Sequence, residues 1–219
     1  MELSEIKIQL NSENPQDRLR ALTALREWEP EIAVPLLQSR LDDPAFVVRS
    51  FVAIGLGNKQ NETAYDSLLA TSARDKDYNV RAEAANSLSR YGKKAIPHLI
   101  SIFRQDTHWL VRRSILAVLG EISDSEAIYE ICLMGLKDED MTVQESAMTC
   151  LGFLAGSKRE EEALDILLTF VGAELWRTRY YLARTLNVFD HSKADSARDR
   201  LRQDKDPRVV GAVLEKLVQ

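Results

Sequence analysis

The chain has 219 residues, of which 45% are hydrophobic and 29% charged, with nine glycines and six prolines, as is typical of a helical protein. Its formal net charge of −5 argues against a nucleic-acid-binding protein, because that activity depends on neutralising phosphates. No run of 18 apolar residues is present, which argues against insertion into a membrane.

In chain order, the apolar pattern predicts a capping helix in residues 1–13, helical repeats in residues 14–205 and a second capping helix in residues 206–219. The last helix is expected to turn Val210, Val213, Leu214 and Leu217 inward. Terminal helices of this kind shield the open ends of a repeat array. We therefore predict one all-α solenoid domain that spans residues 1–219.

The first helix of four repeats, helix A, follows a frame of an acidic residue, then Val-Arg, then Leu, which Gly follows in most copies. The most complete copy is Asp106–Gly120, DTHWLVRRSILAVLG. Other copies begin at Asp43, Asp75 and Asp138, and in the last of these Gln144 replaces the arginine. Degenerate copies lie at Asn14…Leu19-Arg20 and Thr178-Arg179…Leu186. This recurrence predicts that each unit packs on its neighbours.

A column of alanines marks the second helix of each repeat, helix B. The interval between them is 31, 31, 32, 36 and 31 residues. Apolar residues stand four positions after the first five alanines, which predicts a buried helical face. The two columns are Ala33, Ala64, Ala95, Ala127, Ala163 and Ala194, and Leu37, Leu68, Leu99, Ile131 and Leu167.

Helix boundaries are predicted from turn residues. Asn14-Pro15, Asp43-Pro44 and Asp206-Pro207 each place a capping side chain before a proline, which is tolerated at the first helical position. Three glycines fall where A helices are expected to end, and there they predict left-handed C-caps. They are Gly57, Gly120 and Gly152.

Aspartates and arginines at equivalent positions predict a structural role between repeats. Charge-assisted hydrogen bonds from the arginines to aspartates or to backbone groups would fix the stacking of one repeat on the next. The residues to which we assign this role are Asp43, Arg49, Asp75, Arg81, Asp106 and Asp138.

An aromatic or methionine residue stands three positions before each arginine position, and packing between repeats is its expected role. Near two of these residues, cations and aromatics exceed what the repeat requires. Arginine and aromatic side chains suit both carboxylate-bearing conjugated ligands and protein hot spots, with packing and solvated charge as the alternative. The binding candidates are His108, Trp109, Arg112, Arg113, Trp176, Arg177, Arg179, Tyr180, Tyr181 and Arg184.

Motifs for metal binding and catalysis are missing from the sequence. The histidines are not spaced as ligands, so no metal is expected, and no nucleophile motif or phosphate-binding loop occurs. Cys132 and Cys150 form no CxxC pair and are expected to pack in the core. The first residues lack the features of a signal peptide, so a reducing cytoplasmic location is expected.

The pattern D-x4-V-R-x6-L-G followed by A-x-P-x-L-x4-L resembles the HEAT-like repeat of the family that includes the cyanobacterial phycobiliprotein lyases and phycobilisome degradation proteins. It matches best at Asp43–Gly57, Asp75–Phe103 and Asp106–Gly120. DRLRA at Asp17–Ala21 and WLVRRSILAVLGE at Trp109–Glu121 are also similar to this family.

The resemblance implies a right-handed solenoid of about six HEAT-like repeats that binds phycobiliproteins, namely phycocyanin or allophycocyanin subunits. It implies a role in antenna degradation or pigment detachment at the phycobilisome. No cofactor is required, and phycocyanobilin, a linear tetrapyrrole, is the candidate ligand.

Three points stay open. The chain could be a general interaction scaffold that binds no pigment, or a bilin lyase subunit or chaperone. Lyase-like activity would be expected to need a second HEAT-like chain. A homodimer is a further alternative.

Overall fold

The computed structural model describes residues 1–215, which form fourteen α-helices and no strand. The all-α prediction is therefore confirmed. Short 3₁₀ turns occur at Leu25–Glu27, Gly92–Ala95 and Leu151–Leu154. The helices are α1 Leu3–Leu10, α2 Pro15–Ala24, α3 Pro30–Gln38, α4 Phe46–Lys59, α5 Glu62–Arg74, α6 Tyr78–Ser89, α7 Ile96–Gln105, α8 Trp109–Ile122, α9 Ser125–Gly135, α10 Met141–Cys150, α11 Glu160–Leu168, α12 Trp176–Leu186, α13 Ser192–Leu201 and α14 Pro207–Leu214.

The helices form two compact units, Met1–Ile122 with α1–α8 and Ser123–Gln219 with α9–α14. In the first unit the A helices α2, α4, α6 and α8 pack side by side, and so do the B helices α3, α5 and α7. In the second unit α10, α12 and α14 pack in the same way, and α11 packs on α13. Among residues 1–215 no helix is both long enough and apolar enough to cross a membrane. The single domain over residues 1–219 stays a prediction.

The predicted alanine column is buried in all six repeats, and the five apolar residues that follow it are fully buried. The helix B prediction is therefore confirmed. In the sixth repeat Arg198 stands where the other repeats have leucine or isoleucine, and it is buried as well. Its guanidinium donates to the backbone carbonyls of Leu186 and Phe189 and to the Asp195 carboxylate, so the buried charge is compensated.

The predicted terminal helices are found as α1 and α14. Ile6 and Leu10 are buried in α1. In α14 Val213 is buried as predicted and Val210 is half-buried. Leu214 is exposed, because it lies on the solvent side of the helix. Leu217, with the rest of residues 216–219, lies outside the described residues.

Two of the three predicted Asx-Pro helix starts are confirmed: Asn14 caps α2 and Asp206 caps α14. The third is wrong, because α4 begins at Phe46 and not at Pro44. Asp43 instead accepts the backbone N–H of Ala45 within the turn before the helix, at 3.0 Å.

The predicted glycine C-caps are wrong. Gly57 and Gly120 lie within α4 and α8, and Gly152 lies in a 3₁₀ turn. The left-handed glycines are Gly92 and Gly156, with φ of 62° and 71°. Gly57 serves close packing of α4 on α6, because a Cβ there would lie 2.7 Å from the Cβ of Ser87.

Candidate partner-binding site

A ladder of ion pairs joins consecutive A helices in the first unit. The Arg49 side chain donates from Nε and Nη2 to both carboxylate oxygens of Asp75, at 2.7 and 2.9 Å. Arg81 binds Asp106 in the same way, at 2.7 and 3.1 Å. Each arginine therefore pairs with the aspartate of the following repeat, 25 or 26 residues later in the chain.

Arginine and aspartate in this ladder each make a second contact. Arg49 and Arg81 also donate to the backbone carbonyl of the aspartate six residues earlier, at 2.8 and 2.9 Å. Asp75 and Asp106 accept the backbone N–H two residues later, both at 2.9 Å. Asp138 makes the same turn contact. The ladder thus fixes both the turn before each helix and the next repeat.

These contacts determine the charge state of the aspartates. Burial raises the pKa of the Asp75 carboxyl, but the hydrogen bonds from Arg49 and from the Asp77 N–H outweigh burial, so its pKa lies below its ordinary value. The bond to Asp75 in turn raises the pKa of Arg49. The pair is therefore fully ionised at neutral pH.

Arg18 and Asp43 extend the ladder to the first repeat, with Nε and Oδ2 at 2.7 Å. Arg112 also occupies a ladder position, although we proposed it as a binding residue. Its side chain is buried and donates to the Asp106 carbonyl at 2.9 Å. Arg112 therefore has a structural role and does not belong to the exposed surface.

Arg179, another proposed binding residue, belongs to the ladder of the second unit. It donates to both carboxylate oxygens of Asp204, at 2.6 and 3.0 Å, and to the carbonyls of Ala173 and Glu174. The bond from Arg179 lowers the pKa of Asp204. Since the Arg179 side chain is buried and its donors are engaged, it cannot receive a partner.

At one ladder position of the second unit, both the arginine and the aspartate are replaced. Gln144 replaces the arginine and Ala173 replaces the aspartate, and Gln144 keeps only the contact to the Asp138 carbonyl. Another pair joins α10 to α12 here. Arg177, also a binding candidate, donates from Nε and Nη2 to the buried Glu145 carboxylate, at 2.8 and 2.7 Å. Arg177 is half exposed, but its guanidinium neutralises Glu145.

The remaining residues of the first candidate cluster lie at the start of α8. His108 stacks on Tyr78, with ring centroids 3.7 Å apart and planes 5° from parallel. Its Nδ1 accepts the N–H of Leu110 at 3.2 Å, so His108 acts as an N-cap. Trp109 is exposed, and Arg113, also exposed, follows it by one helical turn.

Four of the five residues in the aromatic and methionine column are exposed, although Tyr78 also stacks on His108 of the next repeat. These side chains stand at the first position of successive A helices. The exposed fractions are 47% for Phe46, 41% for Tyr78, 38% for Trp109 and 43% for Met141.

In the second unit, Trp176 is covered by Arg208, whose guanidinium carbon lies 3.3 Å from the ring centroid. Tyr180 packs edge-on against Tyr181, with centroids 5.4 Å apart. Arg184 is half exposed and has Glu215 as its ion-pair partner, with Nε and Oε2 at 3.4 Å. Arg184 and Arg177 are therefore the most exposed members of the second cluster, whereas Tyr181 is half-buried.

Tyr181 and Arg184 line a groove of about 290 Å³ between the A helices α10 and α12, which we call the α10–α12 groove. Its apolar walls, Phe153 and Val188, were not predicted from the sequence. Both residues follow the end of an A helix and lie outside the predicted buried face. An apolar residue on the exposed side of a predicted helix end is the pattern that would have identified them.

The candidate residues thus divide into two groups, the first in unit Met1–Ile122 and the second in unit Ser123–Gln219. Within residues 1–215 no three His, Cys, Asp or Glu side chains gather as a metal site would require. The exposed residues suit recognition through aromatic surface and guanidinium groups.

Among solved structures, the chain is similar to the complex of CpcE and CpcF of phycocyanin lyase from Nostoc sp. PCC7120, with 20% identity and a TM-score of 0.55. The match covers 100% of this chain and 87% of that one. An engineered protein is similar at 18% identity and a TM-score of 0.51, over 99% of this chain and 68% of that one. At these identities the likeness shows the fold alone. No curated protein sequence matches the chain.

The family model for HEAT repeats matches residues 3–89, 40–120 and 96–186. These overlapping matches span most of the chain and agree with the paired helices, the buried columns and the ion-pair ladder. The chain belongs to the family of HEAT-repeat proteins.

Proposed function

We propose that this HEAT-repeat protein binds phycobiliproteins at the phycobilisome and acts in antenna degradation or pigment detachment. The observation that carries the proposal is the surface of α12, where the half-buried Tyr181 and the exposed Arg184 line an apolar groove. These are the residue types that dominate protein-binding hot spots. The resemblance of the repeat pattern and the likeness to the phycocyanin lyase complex support a phycobiliprotein as the partner.

In the second unit, Arg179 and Arg177 form ion pairs that hold the helices together, whereas Arg184 does not. Arg179 is saturated by Asp204, and Arg177 neutralises Glu145. Arg184 and Glu215 have side chains 54% and 48% exposed, so their pair contributes little to stability. Arg184 can therefore turn to a partner at little cost to the fold.

Retention by phycocyanin subunits tests this proposal. Immobilised phycocyanin should retain the wild-type chain, and Tyr181→Ala and Arg184→Gln should each weaken retention several-fold. Arg20→Gln and Ile8→Ala are matched controls, because both side chains are highly exposed on other helices. No retention above that of an unrelated HEAT array would leave a general scaffold as the better account.

Phycocyanobilin is the ligand of a second candidate function, pigment binding. It is a conjugated tetrapyrrole with two propionates, so an exposed indole and a guanidinium on one helix face would suit it. Trp109 and Arg113 provide this pair on α8, one helical turn apart.

Absorbance spectroscopy tests pigment binding. Phycocyanobilin should change its visible spectrum when the protein is added, and Trp109→Ala and Arg113→Gln should each reduce the change. Phe46→Ala is the control, because it removes an exposed aromatic ring from the equivalent first position of α4. An unchanged spectrum with the wild-type chain would contradict pigment binding by this chain alone; a lyase subunit would then require a second HEAT-like chain.

A further inference from the structure

The α10–α12 groove has two apolar walls that residues 1–215 leave uncovered. Phe153 is 51% exposed and Val188 is 59% exposed, although both are large apolar side chains. Gly152 brings these walls together, because a Cβ at this position would lie 3.2 Å from Cγ2 of Val188. The volume of about 290 Å³ is enough for one or two side chains.

The rim of the groove carries a guanidinium group, Arg184, that is held by a weak ion pair. Arg184 and Glu215 both line the groove, and the 3.4 Å between Nε and Oε2 is long for an arginine–carboxylate pair. A carboxylate that approached the guanidinium side-on could form two shorter hydrogen bonds. Arg184 is therefore available to a carboxylate that displaces Glu215 from this long pair.

Asn187 also lines the groove, but its side chain serves the fold. Its Nδ2 donates to the Ala212 carbonyl at 2.8 Å, which links the end of α12 to α14. Its Oδ1 is buried, so a partner does not reach this atom.

We propose that the α10–α12 groove binds a short segment of a partner protein that combines an apolar side chain with a neighbouring carboxylate. The apolar side chain lies between Phe153 and Val188, and the carboxylate pairs with Arg184. This proposal uses the surface of the proposed function and names the chemistry of its partner, whichever protein supplies the segment.

Titration of the 15N-labelled full chain with the peptide acetyl-Gly-Leu-Asp-Gly-amide tests the proposal without any phycobiliprotein. We expect saturable shifts of the Gly152, Phe153 and Val188 amides. A peptide with Asn in place of Asp should bind about two- to fivefold more weakly, as an exposed ion pair predicts. A peptide with Gly in place of Leu should cause no saturable shift.

Variants assign the two contacts. Arg184→Gln should bind both peptides equally, and Phe153→Ala should weaken binding about tenfold, as expected for loss of a large apolar contact. Arg20→Gln and Ile8→Ala should bind like wild type, and circular dichroism should verify that every variant is folded. Absence of saturable shifts, or discrimination between Asp and Asn that survives Arg184→Gln, would overturn the proposal. Peptide binding without retention by phycocyanin would contradict only the proposed partner.

Discussion

Arg177 binds Glu145 through two parallel hydrogen bonds of 2.8 and 2.7 Å, at the position of the second unit where the regular ladder pair is replaced by Gln144 and Ala173. The direction of the pair is reversed. Elsewhere the earlier repeat supplies the arginine, whereas here it supplies the acid. The second unit thus keeps an ionic link between α10 and α12 after both members of the regular pair have changed.

Restoring the regular pair should stabilise the second unit. Gln144→Arg alone adds a guanidinium without its acid, and Ala173→Asp alone adds an acid without its guanidinium. The double variant should therefore show a favourable coupling free energy of about 1–3 kcal/mol in a double-mutant cycle measured by urea unfolding. Effects that simply add would mean that the two positions do not face each other as other ladder positions do.

Breaking a regular pair should have a large cost. Asp75→Asn leaves the buried Arg49 guanidinium without its counter-ion, so we expect the free energy of unfolding to fall by about 3–5 kcal/mol at pH 7. Asp17→Asn is the control, since its ion pair with Arg20 is exposed. Similar losses for the two variants in urea unfolding would argue against a structural ladder.

The same pair should make stability dependent on acid pH. The folded-state pKa of Asp75 lies below its ordinary value, so the pair contributes fully above the unfolded pKa of about 3.9, and the contribution is lost as pH falls through the folded value. Asp204 should act in the same direction. Unfolding free energies measured from pH 7 down to pH 3 should fall less steeply in Asp75→Asn than in wild type; equal slopes would contradict this assignment.

Two glycine substitutions should have opposite effects. Gly57→Ala should destabilise by about 1–3 kcal/mol, because its Cβ would lie 2.7 Å from Cβ and 3.2 Å from Cα of Ser87. Gly211→Ala lies in α14, where the added Cβ would meet no atom of residues 1–215 within 4 Å apart from its own helix backbone, so it should stabilise by about 0.5–1 kcal/mol. Thermal unfolding of both variants checks this, and a Ser87→Gly change should partly rescue Gly57→Ala.

His108 should be replaceable by aspartate but not by alanine. It caps α8 through Nδ1, and the equivalent residues Asp77 and Asp140 cap α6 and α10 through carboxylate oxygens. His108→Ala should cost about 1 kcal/mol, whereas His108→Asp should keep the cap. Equal destabilisation in urea unfolding would show that stacking on Tyr78 matters more than the cap.

Much of the fold could be predicted from the sequence because its signals are periodic. The alanine column and the residues that follow it recur near every 31 residues, and burial explains both. The sequence predicts a structural role for the aspartates and arginines, but it does not show which aspartate pairs with which arginine. The paired residues are 25 or 26 positions apart in the chain. That separation becomes visible only when consecutive repeats are aligned.

The candidate site was harder to predict because the same residue types serve architecture and binding. Arg179 and Arg184 lie on one helix, yet Asp204 engages the first and leaves the second at the surface. Residue type does not distinguish these two arginines. Their place in the repeat does, because Arg179 lies six residues after Ala173, at the ladder position. Phe153 and Val188 could not be found from the repeat pattern, because they lie outside the positions that the repeats share.

Binding of phycocyanin subunits to the wild-type chain and to Arg184→Gln tests the central claim most directly. We predict a saturable interaction in isothermal titration calorimetry, weakened several-fold by Arg184→Gln and unchanged by Arg20→Gln. No heat of binding with the wild-type chain, or equal affinities for wild type and Arg184→Gln, would contradict the claim that this surface recognises a phycobiliprotein.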